Sequence, residues 1–75
     1  MNRQLNHKGY AVAAAAQRLQ NGLFAANLTI ERRGNASDAN HFEPYSFHAL
    51  DYFHDEEGAL DYATRWGLLW IDDRG

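Results

Sequence analysis

Residues 21–32 read NGLFAANLTIER, and this stretch decides which fold the chain adopts. Asn-Gly is the strongest short signal for the turn of a β-hairpin, and the residues after it alternate between apolar and polar. The apolar face of this predicted strand carries Phe24, Ala26, Leu28 and Ile30. A strand with one continuous apolar face needs a second layer to cover it, so the stretch predicts a sheet that is packed on one side.

Residues 11–20, before the turn, are compatible with two structures. Their alanines, including Ala13 to Ala16, are good helix formers, and Gly22 stands where a helix C-cap could fall. A strand is favoured because the turn and the following strand support each other, whereas helix propensity alone is a weak guide. We therefore expect a hairpin, with a helix over residues 11–20 as the alternative.

A two-residue turn at positions 21–22 sets the register of this hairpin. Leu19 then lies opposite Phe24, and Ala15 lies opposite Leu28. This register places small alanines of the first strand beside large apolar residues of the second. The core face of the sheet is then shallow enough for a helix to approach it closely.

Residues 55–71 predict an amphipathic helix. Its apolar residues span about 200 degrees, roughly twice the width that packing on one sheet requires. A second subunit would cover the apolar surface that the sheet leaves exposed. The candidate interface residues are Tyr62, Leu68 and Leu69 on the helix and Val12 on the first strand.

Acidic residues stand at both ends of the predicted helix. Asp55 to Glu57 suit the free amides and the positive dipole at its start, and no nucleophile accompanies them, so they do not indicate catalysis. Asp72 and Asp73 oppose the dipole at its end. We expect the helix to fray before them; the alternative is that they meet a basic group on a partner.

The composition indicates one small domain. The chain has 75 residues, no cysteine and a net charge of −3, which excludes disulfides, thiolate-bound zinc and a main role in neutralising phosphates. Residues 1–9 are polar and predict a flexible N-terminal arm, followed by a single domain over residues 10–75. Neither a signal peptide nor a membrane span is predicted, so we expect a cytoplasmic protein without membrane contact. A core of this size is commonly reinforced by a second subunit.

The rest of the sheet is predicted after the hairpin. Residues 33–40 have the composition of a loop, and residues 45–54 supply one or two short strands. The predicted class is α+β: an antiparallel sheet of three or four strands with one C-terminal helix packed on one face. Its predicted core contains Leu19, Phe24, Leu28, Ile30, Phe47, Phe53, Leu60, Ala63, Trp66 and Trp70.

Histidines and acids suggest a metal site only weakly. His48, Asp51 and His54 recur at three-residue steps, with His41 and Asp55 near them in the sequence. In an extended segment Asp51 would point away from the two histidines, and no spacing typical of a metal site is present. We expect no metal and no cofactor.

Basic residues suggest a second function. Lys8, Arg18, Arg32 and Arg33 could form a small patch at the hairpin. Aromatic residues on an open sheet face would then suit single-stranded nucleic acid, and the candidates are Tyr10, Tyr45 and Phe47. Glu31 interrupts the patch, and the usual combination of aromatic and basic residues in such modules is missing.

Several short segments have the pattern of an opening strand, a hairpin turn, a strand-to-helix junction and a helix end. They are KGYAV at 8–12, NGL at 21–23, FHDEEGAL at 53–60, WG at 66–67 and WID at 70–72. Together they resemble a family of short uncharacterised bacterial proteins. The resemblance implies a ββ(β)α layout and carries over no catalytic residue.

The expected function is therefore a non-enzymatic interaction module. It would form a homodimer through the helix end or the open sheet face, and another protein could also be its partner. The alternative is a domain that binds nucleic acid or a regulatory protein through the hairpin arginines.

Overall fold

The computed structural model describes residues 2–32 and 44–74. An antiparallel sheet carries one helix on one face, which confirms the predicted α+β class. The strands follow the order β1-β2-β3-β4, and β5 also pairs with β3. The predicted loop over residues 33–40 lies outside the described residues. In chain order the elements are β1 (Asn2–His7), β2 (Tyr10–Arg18), β3 (Phe24–Arg32), β4 (Tyr45–Phe47), β5 (Tyr52–Phe53) and α1 (Glu56–Arg74).

The N-terminal segment forms β1 rather than the flexible arm that was predicted for residues 1–9. It pairs antiparallel with β2 along its whole length and ends at His7, which lies opposite Tyr10. Lys8 and Gly9 form the turn between the two strands, with φ angles of 49° and 82°. Positive φ at both central positions is typical of a type I′ turn, which matches the twist of the flanking strands. The arm prediction failed because Lys-Gly is a much weaker turn signal than Asn-Gly.

The β2–β3 hairpin is present, but its register differs by one residue from the prediction. Leu28 lies opposite Ala14 and not opposite Ala15. The N–H of Gly22 donates to the carbonyl of Leu19 at 3.1 Å, and Gly22 has a φ of 87°. These features describe a three-residue loop, in which a turn is followed by a left-handed glycine. A shift of one residue turns every side chain of β2 to the other face of the sheet.

This shift brings Val12 and Ala14 into the core, where each is 1% exposed. Val12 therefore cannot contribute to a surface, contrary to the prediction. Leu19, which was predicted to belong to the core, lies outside it. Several predicted aromatic core residues lie at its margin and are partly buried. The buried cluster consists of Val12, Ala14, Ala26, Leu28, Ile30, Ala59, Leu60, Ala63 and Ile71.

The helix approaches the sheet closely at Gly67. A Cβ atom at this position would lie 3.2 Å from both δ-methyl groups of Leu28 and 3.3 Å from Cγ1 of Val12. Carbon atoms ordinarily pack about 3.5–4.0 Å apart. The small alanines of the strands and the glycine of the helix thus allow the two layers to meet at short range.

The aromatic residues of α1 pack against β4 and β5. Three pairs of rings have centroid separations of 4.9, 4.7 and 5.2 Å. These contacts cover much of the apolar surface of α1 for which the sequence predicted a second subunit. The pairs are Tyr45 with Trp70, Phe47 with Trp66, and Phe53 with Tyr62.

The start of α1 is fixed by a side-chain cap. Oδ1 of Asp55 accepts the N–H of Gly58, which confirms the predicted cap. A Cβ atom on Gly58 would lie 2.9 Å from that same oxygen. The glycine, although unfavourable in a helix, therefore leaves room for the cap.

β4 and β5 both pair with β3, but in different registers. Leu28 faces Phe47, whereas Phe24 faces Phe53, so the two registers differ by two residues. Ala49 lies in the offset with a φ of 54°, and its N–H donates to Oδ1 of Asn27 at 2.8 Å. The side chain of Asn27 thus holds a bulge in this edge of the sheet.

Candidate functional site

The face of the sheet opposite α1, which we call the open face, is nearly uncharged. In the described strands, Glu31 is its single charged side chain. A shallow groove of about 350 Å³ crosses the alanines of β2 between polar side chains of β1 and β3. A stripe of small residues between polar neighbours does not specify a ligand, so we assign no binding site to it. Residues that line the groove include Gln4, Asn6, Ala11, Ala13, Thr29 and Glu31.

The predicted basic patch is divided in the structure. Arg18 and Arg32 stand at opposite ends of the nine residue pairs that join β2 and β3, which puts their backbones about 26 Å apart. Lys8 lies near the Arg32 end, where its Nζ is 3.0 Å from Oδ1 of Asp72. Arg33 lies outside the described residues. The structure therefore does not bring the predicted patch together.

The aromatic residues that a stacking platform would need point towards the helix. Tyr10 and Tyr45 contact Trp70, and Phe47 contacts Trp66. The described part of the open face carries no lysine or arginine. This face therefore does not combine aromatic rings with basic groups, as single-strand binding surfaces do.

The candidate metal ligands have structural contacts or remain apart. Oδ1 of Asp51 accepts the backbone N–H of the next residue at 2.8 Å, and Asp55 caps α1. Within residues 2–32 and 44–74, no group of three or more histidine, aspartate or glutamate side chains is placed to hold a metal ion, so His48 and His54 belong to no such group. His41 lies outside the described residues.

One edge of the sheet is formed by β1, and hydrogen bonding defines which of its backbone groups are used. The N–H of Leu19 donates to the carbonyl of Leu23 at 2.8 Å, so the odd-numbered residues of β2 direct their backbone groups towards β3. The even-numbered residues of β2 therefore bond to β1, where they lie opposite Arg3, Leu5 and His7. These three residues of β1 thus direct their backbone groups into the sheet.

The other residues of β1 direct their backbone groups away from the sheet. No other described strand pairs with this side of β1, so Asn2, Gln4 and Asn6 offer N–H and C=O groups at a free edge. β1 contains no proline, and its pairing with β2 is continuous, without a bulge. The sequence signal for this strand is weak, because within β1 a single apolar residue, Leu5, stands among polar neighbours.

The side of α1 that faces this edge carries Leu68. At about 100 degrees per residue, Asp61, Leu68 and Asp72 project within about 40 degrees of one another. Asp61 and Asp72 both contact residues of β1, so Leu68 lies between them on the same side of the helix. We call this surface, formed by Asn2–His7 with Asp61, Leu68 and Asp72, the β1 flank.

Ion pairs stand at both ends of the β1 flank. Nη1 of Arg3 lies 2.6 Å from Oδ1 of Asp61. Oδ1 of Asp72 lies 2.8 Å from Nε2 of His7 and 3.0 Å from Nζ of Lys8. The hydrogen bond from His7, followed by that from Lys8, lowers the pKa of Asp72 below its ordinary value.

The contacts of Asp72 also correct the prediction for the helix end. α1 continues to Arg74, past both acids, and does not fray before them. The alternative, a basic group on a partner, is not needed for Asp72, because β1 and its turn provide the basic groups within the same chain. The hydrogen bond from His7 and the ion pair with Lys8 thus offset the unfavourable position of this acid at the negative end of the dipole.

The four predicted interface residues do not form one surface. Only Leu68 belongs to the β1 flank, where it is half-buried. Val12 is in the core, and Tyr62 packs on Phe53. Leu69 is 62% exposed and projects about 100 degrees round α1 from Leu68, close to the direction of Tyr62.

Comparisons with protein-family models, with curated proteins and with solved structures give no match. Among the described residues, no helix combines the length and the apolar character that crossing a membrane requires. Function must therefore be inferred from the geometry of the chain itself.

Proposed function

We propose that this protein is a non-enzymatic interaction module that acts as a homodimer, with the β1 flank as its contact surface. The outer edge of β1, with which no other described strand pairs, is the observation that carries the proposal, because it offers a row of backbone donors and acceptors. Edges of this kind pair with other strands unless a proline, a bulge or a covering segment prevents it. Neither a proline nor a bulge is present in β1.

The side chains of the β1 flank suit contact with another protein surface. Leu68 supplies an apolar group between the two ends of the flank. The charges of Arg3 and Asp61 are paired at one end, and Asp72 is paired at the other. Burying paired charges avoids the large penalty of isolating a single charge. The flank can therefore be covered without leaving these charges unpartnered.

The size of the flank predicts a weak dimer. Six residues of β1 extend about 20 Å, and the contact is two layers deep. Stable complexes commonly bury about 800 Å² on each partner, which a surface of this size does not reach. We therefore expect the dimer to dissociate on dilution in the micromolar range, as small interfaces do.

Light scattering across a dilution series tests this proposal. At high concentration the mass should approach twice the 8.6 kDa of one chain, and it should fall towards 8.6 kDa on dilution. A mass of one chain at every concentration up to about a millimolar would contradict the homodimer.

Two matched variants test the surface. Leu68→Lys adds a charge within the β1 flank and should weaken the dimer. Leu69→Lys adds the same charge about 100 degrees round α1, on the side of Tyr62 and β5, and should leave the dimer unchanged. Circular dichroism checks that both variants remain folded. Equal effects of the two lysines on the dissociation constant would exclude the β1 flank as the contact.

A further inference from the structure

We infer that two copies of this chain pair through their β1 strands in antiparallel alignment, which joins the two sheets into one continuous sheet. The inference rests on the proposed homodimer and specifies the hydrogen bonds that hold it. A two-fold axis perpendicular to the sheet makes the two β1 strands antiparallel and keeps both helices on the same side. No rearrangement of the described fold is needed.

The pattern of free backbone groups selects one register. Residues that exchange two hydrogen bonds across an antiparallel pair must both direct their backbone groups towards the partner. In β1 these are Asn2, Gln4 and Asn6. All three are used only when Gln4 lies opposite Gln4 of the partner subunit, with Asn2 opposite the partner's Asn6. Three such pairs give about six hydrogen bonds across the two-fold axis.

The side chains at this edge favour a second copy over an unrelated strand. On a two-fold axis a residue meets itself, and like charges directly opposite each other are destabilising. The residue on the axis is Gln4, whose amide is both a donor and an acceptor and can therefore bond to its own copy. The neighbouring pair, Asn2 with Asn6 of the partner subunit, is also uncharged and self-complementary. The open-face side of β1 thus carries no charge that would oppose self-pairing.

On the helix side, the same register brings apolar and charged groups into compatible positions. Arg3 lies opposite Leu5 of the partner subunit, so the aliphatic part of the arginine can cover the leucine. The guanidinium group remains paired with Asp61 of its own chain. Leu68, on the β1 side of α1, projects over this junction. The contact therefore combines backbone pairing with a small apolar patch.

Gln4→Pro tests the pairing directly. The N–H of Gln4 points to the free edge, so a proline there removes no bond to β2, and edge strands accept proline in this orientation. Gln4→Thr is the matched control, because it removes the same amide side chain but keeps the N–H. In the dimer the proline removes one hydrogen bond from each copy. We expect Gln4→Pro to raise the dissociation constant about 30-fold relative to Gln4→Thr.

The outcome separates this inference from the homodimer itself. If Gln4→Pro and Gln4→Thr dimerise with equal affinity, the edge pairing is wrong although the homodimer stands. If the unmodified protein is monomeric at all concentrations, the homodimer is wrong. Leu5→Pro serves as a contrasting variant, because the N–H of Leu5 bonds to β2 and its loss should disrupt the sheet in circular dichroism.

Hydrogen exchange of the unmodified protein provides a second test that requires no variant. Amide exchange is followed by NMR above and below the dissociation constant. The amides of Gln4 and Asn6 should become protected only at high protein concentration, whereas those of Leu5 and His7 should be protected at both. Equal exchange of the Gln4 and Asn6 amides in monomer and dimer would overturn the inference.

Discussion

Gly67→Ala tests how closely the helix and the sheet approach. The added methyl group would lie 3.2 Å from Cδ1 and Cδ2 of Leu28 and 3.3 Å from Cγ1 of Val12. Leu28 is 2% exposed and Val12 is 1% exposed, so both side chains are enclosed in the core. The methyl group therefore has to displace either a buried side chain or the helix itself.

Two opposing effects determine the magnitude. Replacing glycine by alanine inside a helix gains about 1 kcal/mol of helix propensity. Inserting a methyl group into a packed core costs about 1–3 kcal/mol. We expect Gly67→Ala to lower the free energy of unfolding by about 1 kcal/mol overall, because three contacts below the usual distance place the cost near the middle of that range.

A second background separates the two effects. Leu28→Val withdraws both δ-methyl groups at a cost of about 1 kcal/mol. In that background Gly67→Ala should become close to neutral, because the propensity gain remains and the contacts with Leu28 are relieved, while the 3.3 Å approach to Cγ1 of Val12 is kept. The coupling energy between the two sites is then about 1 kcal/mol, which urea denaturation of the four proteins can resolve. If Gly67→Ala stabilises the protein that keeps Leu28 by the full propensity gain, the close approach of the two layers is refuted.

Three further substitutions test other features. Ala14→Leu should destabilise the fold by about 1–3 kcal/mol through overpacking, while Ala13→Leu on the open face should change stability by about 0.5 kcal/mol or less; the register first expected would exchange these results in urea denaturation. The pKa of Asp72 is lowered in the fold, so its charge stabilises the fold above the unfolded pKa of 3.8. The difference in stability between the unmodified protein and Asp72→Asn should therefore shrink as the pH falls through the folded pKa. An unchanged difference between pH 5 and pH 2 would contradict the ion pairs. Ala49→Gly should raise the free energy of unfolding by about 0.5–1 kcal/mol, because Ala49 has a φ of 54°; a lower melting temperature would exclude strain there.

The sequence identified the hairpin and the helix but not the register between β2 and β3. Asn21-Gly22 is compatible with a two-residue turn and also with a three-residue loop that ends in a left-handed glycine. The side chains of β2 usually distinguish such registers, because one face is apolar and the other polar. In the run from Ala11 to Ala16 only Val12 departs from alanine, so both faces are nearly equivalent. The physical information that fixes the register therefore lies in the loop.

The proposed contact surface could not have been read from the helix alone. The surplus of apolar residues on α1 indicated a partner, but β4 and β5 cover most of that surplus with aromatic side chains. The feature that carries the proposal is instead the polar edge of β1. Its donors and acceptors belong to the backbone, and a side-chain pattern does not reveal which strand is left at an edge. Of the residues expected at an interface, Leu68 alone lies beside that edge.

The ion pairs of the β1 flank join parts of the chain that are far apart in sequence. Arg3 and Asp61 are separated by 58 residues, and His7 and Asp72 by 65. The hairpin between β1 and β2 closes a short loop and can form within microseconds, whereas contacts over such distances have to close most of the chain first. A growing chain that has not reached residue 72 therefore holds β1 in its sheet without the anchor that α1 supplies. During synthesis on a ribosome, neighbouring nascent chains would be exposed to one another's strand edges before the last turns of the helix are made.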